Sequence, residues 1–176
     1  FLAMILALSV CGVIGSINGF GVAKIGIPSL ITTMAMVSIV KGSMLMLTGG
    51  YPITETFVVL DAIGNGYLMG IPVPVVIFAL TVLGAWVVLS KTRFGRYVYS
   101  VGGNADASKL NGINVDSYKI KVFIINAVLA GLAGIVLVGR MGTASPAAGD
   151  GYDMEAIASV VIGGTSVAGR SGSDFM

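Results

Sequence analysis

The chain has 176 residues, of which 56% are hydrophobic and only 10% charged, and its mean hydropathy is +0.97. Soluble domains carry about 25% charged residues, so this sequence has too little polar surface for a particle surrounded by water. The net charge of +2 gives no electrostatic case for binding nucleic acid. One cysteine and no histidine exclude an internal disulfide framework and a histidine-ligated metal site.

Apolar runs predict an all-α protein, a polytopic bundle of transmembrane helices. A spanning helix needs roughly 20 mostly apolar residues. Five runs approach that length: residues 1–20, 27–47, 71–89, 122–138 and 156–168. The last run is short and rich in small residues, which leaves a tilted span, a half-helix and a re-entrant segment open. We expect residues 1–176 to form one transmembrane domain that is incomplete at both ends, because the first run is already under way at Phe1.

Basic residues between the runs predict which segments share a side of the membrane. Residues 91–121 hold six of the ten Lys and Arg residues against two Asp residues, so the positive-inside rule places them in the cytoplasm. Residues 21–26, with Lys24, then lie on the same side. Residues 49–70 and 140–155, the two acidic connections, lie outside.

Two features interrupt the plain apolar pattern of the runs. Lys41 lies in the second run about two turns from its outer end, and we expect its side chain to reach the membrane interface rather than a solute. Small residues also recur at helical spacing and predict close helix packing, because backbones in lipid associate best where side chains are small. These residues are Gly12, Gly15, Gly19, Ala127, Gly131 and Gly134.

Residues 93–114 contain a short predicted helix in a polar setting. The helix covers Asp106 to Leu110, with Asn104 as its N-cap and Gly112 at the C′ position. The break before it is expected at three consecutive residues, Gly102, Gly103 and Asn104. A capped helix here is either a knob that docks into a partner or part of a connecting loop, and the residues leave both interpretations open.

Residues 140–152 are small and polar and are expected near the outer face. Irregular backbone is tolerated at membrane depth only where it is buried in protein or lines a water-filled cavity. The residues predicted to line such a cavity are Ser145, Pro146, Asp150 and Tyr152. An ordinary outer loop is the alternative, since polar loop residues need no function.

Residues 163–172, GGTSVAGRSG, nearly spell a phosphate-binding loop. We reject that interpretation because Arg170 stands where the loop needs lysine, and a membrane run precedes it instead of a strand. A tight turn that lets helices approach closely is expected instead. It comprises Gly163, Gly164, Thr165, Ser166, Gly169 and Gly172.

Residues 95–123 resemble the cytoplasmic loop of the ribose-type permeases of bacterial ABC importers. That family shows a G-x-N-x-x-A-x-x-x-x-G-I-N-V pattern, matched here by Gly102, Asn104, Ala107, Gly112, Ile113, Asn114 and Val115. Asp106-Ala107-Ser108 is similar to the Glu-Ala-Ala segment through which such permeases contact their ATPase. Residues 145–158 and 163–172 resemble further segments of the family, so the similarity extends over nearly the whole chain.

The resemblance implies a multi-pass subunit of the bacterial inner membrane that forms the translocation path for a simple sugar such as ribose. Residues 91–121 would then be the cytoplasmic coupling loop. Its ATPase-coupling residues would be Gly102, Asn104, Asp106, Ala107, Ser108, Gly112 and Asn114. ATP hydrolysis would belong to a separate subunit, so we expect no catalytic residue, metal or cofactor in this chain.

The resemblance also implies the partners. They are an ABC ATPase subunit, a periplasmic or lipid-anchored sugar-binding protein, a second permease copy that completes a homodimer, and membrane lipid. Two other functions are considered: an ABC permease for branched-chain amino acids, and an ion-coupled carrier. The carrier would place ionisable residues in mid-membrane, where only Lys41 comes near.

Overall fold

The computed structural model describes residues 2–54, 58–68 and 70–164. Within those ranges the chain forms α-helices, one π-helical turn and one antiparallel hairpin in which Leu68 pairs with Ile71. The elements in chain order are α1 (Leu2–Phe20), the π-turn (Gly21–Ile25), α2 (Ser29–Thr48), α3 (Val58–Asn65), β1 (Tyr67–Leu68), β2 (Ile71–Pro72), α4 (Val73–Lys91), α5 (Arg93–Gly103), α6 (Ala105–Leu110), α7 (Val115–Met141) and α8 (Tyr152–Ile162).

Four helical segments of the described chain are long and apolar enough to cross a membrane, which confirms the predicted polytopic helical architecture. They are α1 with the π-turn, α2, α4 and α7. Pro28 and Pro72 are the N-cap residues of α2 and α4. A proline suits the start of a helix because it has no backbone N–H to leave unpaired there.

Helix α7 is longer than the apolar run 122–138 that predicted it. It has 27 residues, which is roughly 40 Å at 1.5 Å per residue. The helix begins at Val115 because Asn114 caps its N-terminus, and the mixed polar and apolar residues 115–121 are helical ahead of the apolar run. Its length matches a whole bilayer with its headgroup regions, about 40 Å, so its ends reach both surfaces.

The fifth predicted segment, residues 156–168, is described up to Gly164. Its helix, α8, starts earlier than predicted, directly after Gly151, whose φ of +90° ends the preceding turn. With 11 residues, α8 measures roughly 16 Å. That is about half of the hydrocarbon core, so the described part of this segment is a half-helix.

The most extensive interhelical contact joins α1 to α7 in antiparallel orientation. A Cβ added at Gly15 would lie 2.7 Å from the Cβ of Ala127, and one added at Gly19 would lie 2.8 Å from the backbone of α7. Gly131 is equally close to Cys11, whose Sγ would lie 2.7 Å from an added Cβ. The predicted small-residue packing is therefore confirmed at these positions, where only the absence of a side chain permits such an approach.

Outside this contact, the described chain buries little apolar surface of its own. Val101 and Val115 are its buried hydrophobic residues. Helices α2 and α4 bury no residue, and Leu47 near the end of α2 is 85% exposed. Apolar surface of this extent is unfavourable in water, so these faces require an apolar environment.

The two acidic connections meet at one pole of the bundle. A side chain at Gly64 in α3 would overlap the backbone of Gly139 near the end of α7. Asn65 Nδ2 also donates a hydrogen bond to the carbonyl oxygen of Gly139 at 3.2 Å. An isolated β-bridge joins Ile53 to Ala144 through hydrogen bonds of 2.9 and 2.8 Å. These contacts define the outer pole.

The basic segments gather at the opposite, inner pole. The π-turn, α5 and α6 all contact α7. Tyr118, in the first turns of α7, packs on Phe94 and Tyr97 of α5, with ring centroids 5.7 and 5.3 Å apart. Lys24 and residues 91–121 therefore share a pole, as the charge alternation requires, and the positive-inside rule assigns that pole to the cytoplasm.

We expect Gly15→Ala to loosen the α1–α7 contact, because the added methyl group would lie 2.7 Å from both Ala127 Cβ and the carbonyl oxygen of Phe123. Overpacking of this kind costs about 1–3 kcal/mol. Gly134→Ala is the matched control, since nothing lies within 4 Å of a Cβ at that position of α7. Thermal unfolding of the full-length protein in detergent measures the difference. Equal losses of Tm in the two variants would contradict the importance of this contact.

Candidate functional site

The inner pole carries the short helix α6, whose N-terminus is capped as the sequence predicted. Asn104 has extended backbone angles, φ −154° and ψ 105°, and its Oδ1 accepts a hydrogen bond from Ala107 N at 2.9 Å. Asp106 lies in the first turn and Lys109 in the last, so each charge lies near the helix end whose dipole it complements. Capping makes this short helix a defined element, since it pairs a backbone N–H that the helix leaves free.

The C-terminus of α6 closes in a Schellman motif. Gly112 occupies the C′ position with φ +77°, as predicted, and its N–H donates to the carbonyl oxygen of Lys109 at 3.0 Å. Ile113 N–H donates to the carbonyl oxygen of Ser108, also at 3.0 Å. These two bonds pair carbonyls that the helix end would leave free. A glycine is needed here because the left-handed backbone strains residues with a Cβ.

Ser108 fastens α6 to the rest of the inner pole. It is 1% exposed, and its Oγ lies 3.0 Å from the Oγ of Ser100 on α5. Val101 on α5 and Val115 at the start of α7 are buried beside this region of contact. Because serine is small, α6 packs directly on α5 at Ser108. A bulky side chain at this position would not fit between the two helices.

Two details of the predicted loop differ from the structure. Gly102 and Gly103 were expected to break the preceding segment, and this is wrong for both, because they form the last turn of α5. The break comes at Asn104 alone, whose extended backbone ends α5 and begins α6. Residues 91–121 are thus mostly helical, and they contain α5 and the start of α7 as well as the predicted short helix α6.

Helices α5 and α7 are also capped by side chains at the inner pole. Thr92 Oγ1 accepts a hydrogen bond from Gly95 N at 3.3 Å and so starts α5 directly after α4. Asn114, predicted as a coupling residue, is the N-cap of α7 and accepts from Ser117 N at 3.1 Å. Asn104 and Asn114 therefore hold both ends of the α6 unit in place. This function is structural.

The exposed surface of α6 combines charge with one large apolar side chain. Asp106, Ala107 and Lys109 are exposed, and Leu110 is 91% exposed. Leu110 was predicted only as the last residue of this helix, because its exposure depends on the folded arrangement. The capped helix therefore presents charged side chains and one leucine at the surface of the inner pole.

The outer pole carries the predicted path residues in one irregular turn, residues 142–151. Gly142 and Gly151 bound it with φ +67° and +90°. Inside the turn, Ser145 Oγ accepts from Ala147 N at 3.3 Å, so this hydroxyl is already used locally. Pro146 is half-buried, and Tyr152 is exposed at the start of α8. Ser145, Pro146 and Asp150 are thus held in a single turn.

The described residues contain one ion pair, between Asp150 and Lys41. Both carboxylate oxygens of Asp150 lie 2.7 Å from Lys41 Nζ, with the two side chains 54% and 41% exposed. The expectation that Lys41 reaches the membrane interface stays a prediction, and the structure adds a carboxylate partner for its ammonium that was not predicted. Sequence reasoning could not pair them, since 109 positions separate the two residues.

The position of Lys41 within α2 makes this ion pair important for the free energy of the helix in the membrane. It lies seven residues before the end of α2 at Thr48, which is roughly 10 Å along the axis. A lysine near the centre of a membrane helix costs about 2.5–3.5 kcal/mol on insertion scales. A carboxylate at 2.7 Å offsets part of that cost, and it reaches Lys41 only because the 142–151 turn lies against the outer half of α2.

The predicted glycine turn is described only at its beginning. Gly163 N donates to the carbonyl oxygen of Ser159, and Gly164, at φ +89°, donates to that of Val161, both at 3.0 Å. These bonds end α8 as a turn would. Four predicted residues lie outside the described ranges: Thr165, Ser166, Gly169 and Gly172. Among the described residues, no group of His, Cys, Asp and Glu side chains could hold a metal ion.

Comparison with known proteins identifies relatives over nearly the whole chain. The family model described as branched-chain amino acid transport system / permease component matches residues 1–171. The chain is 42% identical to the ribose import permease protein RbsC of Escherichia coli K12, and 40% identical to RbsC of Bacillus subtilis 168. Each of these alignments covers 97% of this chain and 54% of the relative.

A third relative is the xylose transport system permease protein XylH of Escherichia coli K12. It is 30% identical over 98% of this chain and 59% of its own length. The chain thus spans about half the length of the curated relatives it matches. No solved structure matches.

We expect Asn104→Ala to destabilise α6, because Ala107 N–H loses the acceptor that caps the helix. Loss of such a cap costs about 1 kcal/mol, so amide exchange across α6 should accelerate roughly fivefold. Asn111→Ala is the control, since Asn111 Nδ2 donates only to the carbonyl oxygen of Ala107, which Asn111 N already pairs. Hydrogen exchange of the full-length protein measures both. Equal exchange rates in the two variants would contradict the role given to Asn104.

Proposed function

Because this chain belongs to the family of branched-chain amino acid transport system permease components, we propose that its protein is the membrane-spanning subunit of an ATP-driven ABC importer. The solute would be a simple sugar such as ribose. The observation that carries this proposal is α6, a rigid capped helix presented at the basic pole of a membrane bundle. The chain is a multi-pass protein of the bacterial inner membrane and a transport subunit rather than an enzyme.

Helix α6 has the construction that a coupling element requires. A separate ATPase can move a permease only through a part that does not unfold when it is displaced. The Asn104 cap, the Schellman motif at Gly112 and the contact of Ser108 with Ser100 all resist such unfolding. The exposed side chains of Asp106 and Leu110 would meet the ATPase.

Motion at α6 would reach the outer pole through α7. Only four residues, 111–114, separate α6 from α7, and Val115 at the junction is 2% exposed. Helix α7 then runs without interruption to Gly139, which packs against α3. ATP binding to the partner would thus shift packed helices between two arrangements, and the path would open to one side at a time.

The 142–151 turn supports the translocation path. Irregular backbone beside the outer half of α2 requires burial in protein or contact with water, and Ala147, Gly149 and Asp150 are exposed. We assign Ser145, Pro146, Asp150 and Tyr152 to the wall of this path. Their hydroxyl, carboxylate and backbone groups suit a solute that carries many hydroxyl groups.

The remaining partners follow from the same proposal. A sugar-binding protein would deliver the solute at the outer pole, where Asp153 and Glu155 add exposed negative charge. A second permease copy would complete a homodimer around the path, and lipid would cover the apolar faces of α2 and α4. Residues 1–176 would belong to one transmembrane domain, with residues 91–121 as its coupling segment.

Branched-chain amino acids are the second candidate solute, because the family model carries that description. The ribose and xylose relatives favour a sugar. An ion-coupled carrier has less support, since Lys41, the ionisable residue inside α2, is paired with Asp150.

Uptake of ribose, xylose and leucine by the full-length permease with its ATPase and binding protein distinguishes these functions. Uptake of leucine without pentoses would overturn the sugar proposal, and uptake without ATP would overturn the ABC mechanism.

We expect Leu110→Gln and Asp106→Lys each to reduce substrate-stimulated ATPase activity of the assembled complex at least about tenfold, as loss of a central interface residue does. Membrane insertion should not change, because both side chains are exposed at the inner pole. Ile25→Gln is the control: it makes a similar change at another exposed apolar residue of that pole, 65% exposed. Normal stimulation in the Leu110 and Asp106 variants would show that α6 is not the coupling element.

A further inference from the structure

The 142–151 turn is fastened to distant parts of the described chain at its two ends. At its start, Ala144 forms the β-bridge with Ile53 at the outer pole. At its end, Asp150 binds Lys41 of α2 through both carboxylate oxygens. The hydrogen bonds between these points stay within the turn, from Ala147 and Ala148 to Ser145. The ion pair is therefore the side-chain contact that ties the end of the turn to α2.

Helix geometry explains why Lys41 needs a partner brought to it. The bond from Cα to Cβ tilts toward the N-terminus of a helix, and the N-terminus of α2 lies next to the π-turn at the inner pole. The stem of Lys41 therefore starts out directed away from the outer interface. An ammonium that begins inside the span is stabilised more directly by a carboxylate delivered into the bundle than by extension to the headgroups.

We propose that Lys41 is a positioning residue for transport, whose ion pair with Asp150 holds the 142–151 turn inside the outer half of the membrane. This inference rests on the proposed function, in which the turn forms part of the path wall. Within the described chain both side chains are about half exposed, so this chain does not enclose the pair in a packed core of its own. In a low-dielectric setting the two charges attract more strongly than at a wet surface, which lets one pair fix the position of a loop.

Removing either charge should release the turn. In Lys41→Met the carboxylate of Asp150 loses both hydrogen bonds and is drawn toward water, so the turn would move outward. In Asp150→Asn the ammonium of Lys41 is left with a neutral partner inside the span. Lys41→Arg preserves the charge and the reach, and it should keep the turn in place. Exchange of the two charges in Lys41→Asp with Asp150→Lys would restore the attraction.

The test measures the position of the turn separately from transport. Ala147 is exposed in the turn, so Ala147→Cys, in a full-length permease whose native Cys11 is replaced by Ala, reports its accessibility. The probe is a membrane-impermeant maleimide added to the outer side of vesicles that contain the assembled complex. Adding Lys41→Met should raise the labelling rate about fivefold or more, as expected for loss of a coupled pair. Lys41→Arg should leave the rate unchanged.

Transport completes the test. Uptake should fall at least about tenfold in each single charge reversal and recover to within about threefold in the exchanged double variant. Asp61→Asn is the matched control, because it removes one exposed negative charge from the outer pole that forms no ion pair with a described residue. Unchanged labelling in Lys41→Met, or a double variant no better than the singles at equal membrane levels, overturns the positioning role. The labelling reaction needs no solute. Its result therefore tests the positioning role independently of which solute the permease carries.

Discussion

In lipid, burying leucine side chains between two helices gives no hydrophobic stabilisation, so helix association depends on how closely the two backbones approach. The contact of α1 with α7 meets this requirement at Gly15, Gly19 and Gly131, where an added Cβ would lie within 2.7–2.8 Å of the facing helix. The rest of the described chain is arranged around this pair. α3 and the β-bridge attach at its outer end, and the π-turn, α5 and α6 attach at its inner end. Helices α2 and α4 bury no residue, so the α1–α7 contact is the main packed link between the two poles of the described chain.

The two poles are built in different ways. The inner pole is held by local rules of helix capping, in which Thr92, Asn104 and Asn114 each bind a backbone N–H three residues ahead. The outer pole is held by contacts between residues far apart in sequence, such as Ile53 with Ala144 and Lys41 with Asp150. A capped helix keeps its shape when it is pushed, whereas a turn tied by a few long-range contacts can be released. The stable shape of a capped helix suits the inner pole, where a partner would push on α6. The releasable contacts suit the outer pole, where the 142–151 turn would move.

The same distinction explains how much the sequence could predict. Helix α6, its Asn104 cap and its Gly112 terminus depend on neighbours within a few residues, and all three were predicted. The spans were predicted because lipid demands long apolar runs. Gly102 and Gly103 were placed wrongly because α5 is supported by aromatic packing on α7 that local propensity does not contain. The partner of Lys41 and the exposure of Leu110 depend on the folded arrangement, so no local pattern could reveal them. The residues of the path and of the coupling segment stay predictions until transport is measured.

The glycine contacts fall around the middle of α7. Val128 lies opposite Gly12, and Ile120 lies opposite Gly19, within a helix that runs from Val115 to Met141. A stiff rod held near its midpoint has two arms of similar length, so a tilt carries its ends through similar distances in opposite directions. For a rod of roughly 40 Å, a tilt of about 10° moves each end by about 3.5 Å. For α7 the fulcrum is the contact at Gly15, Gly19 and Gly131, so the smallest residues of the sequence set the ratio between the displacements of α7 at the two membrane surfaces.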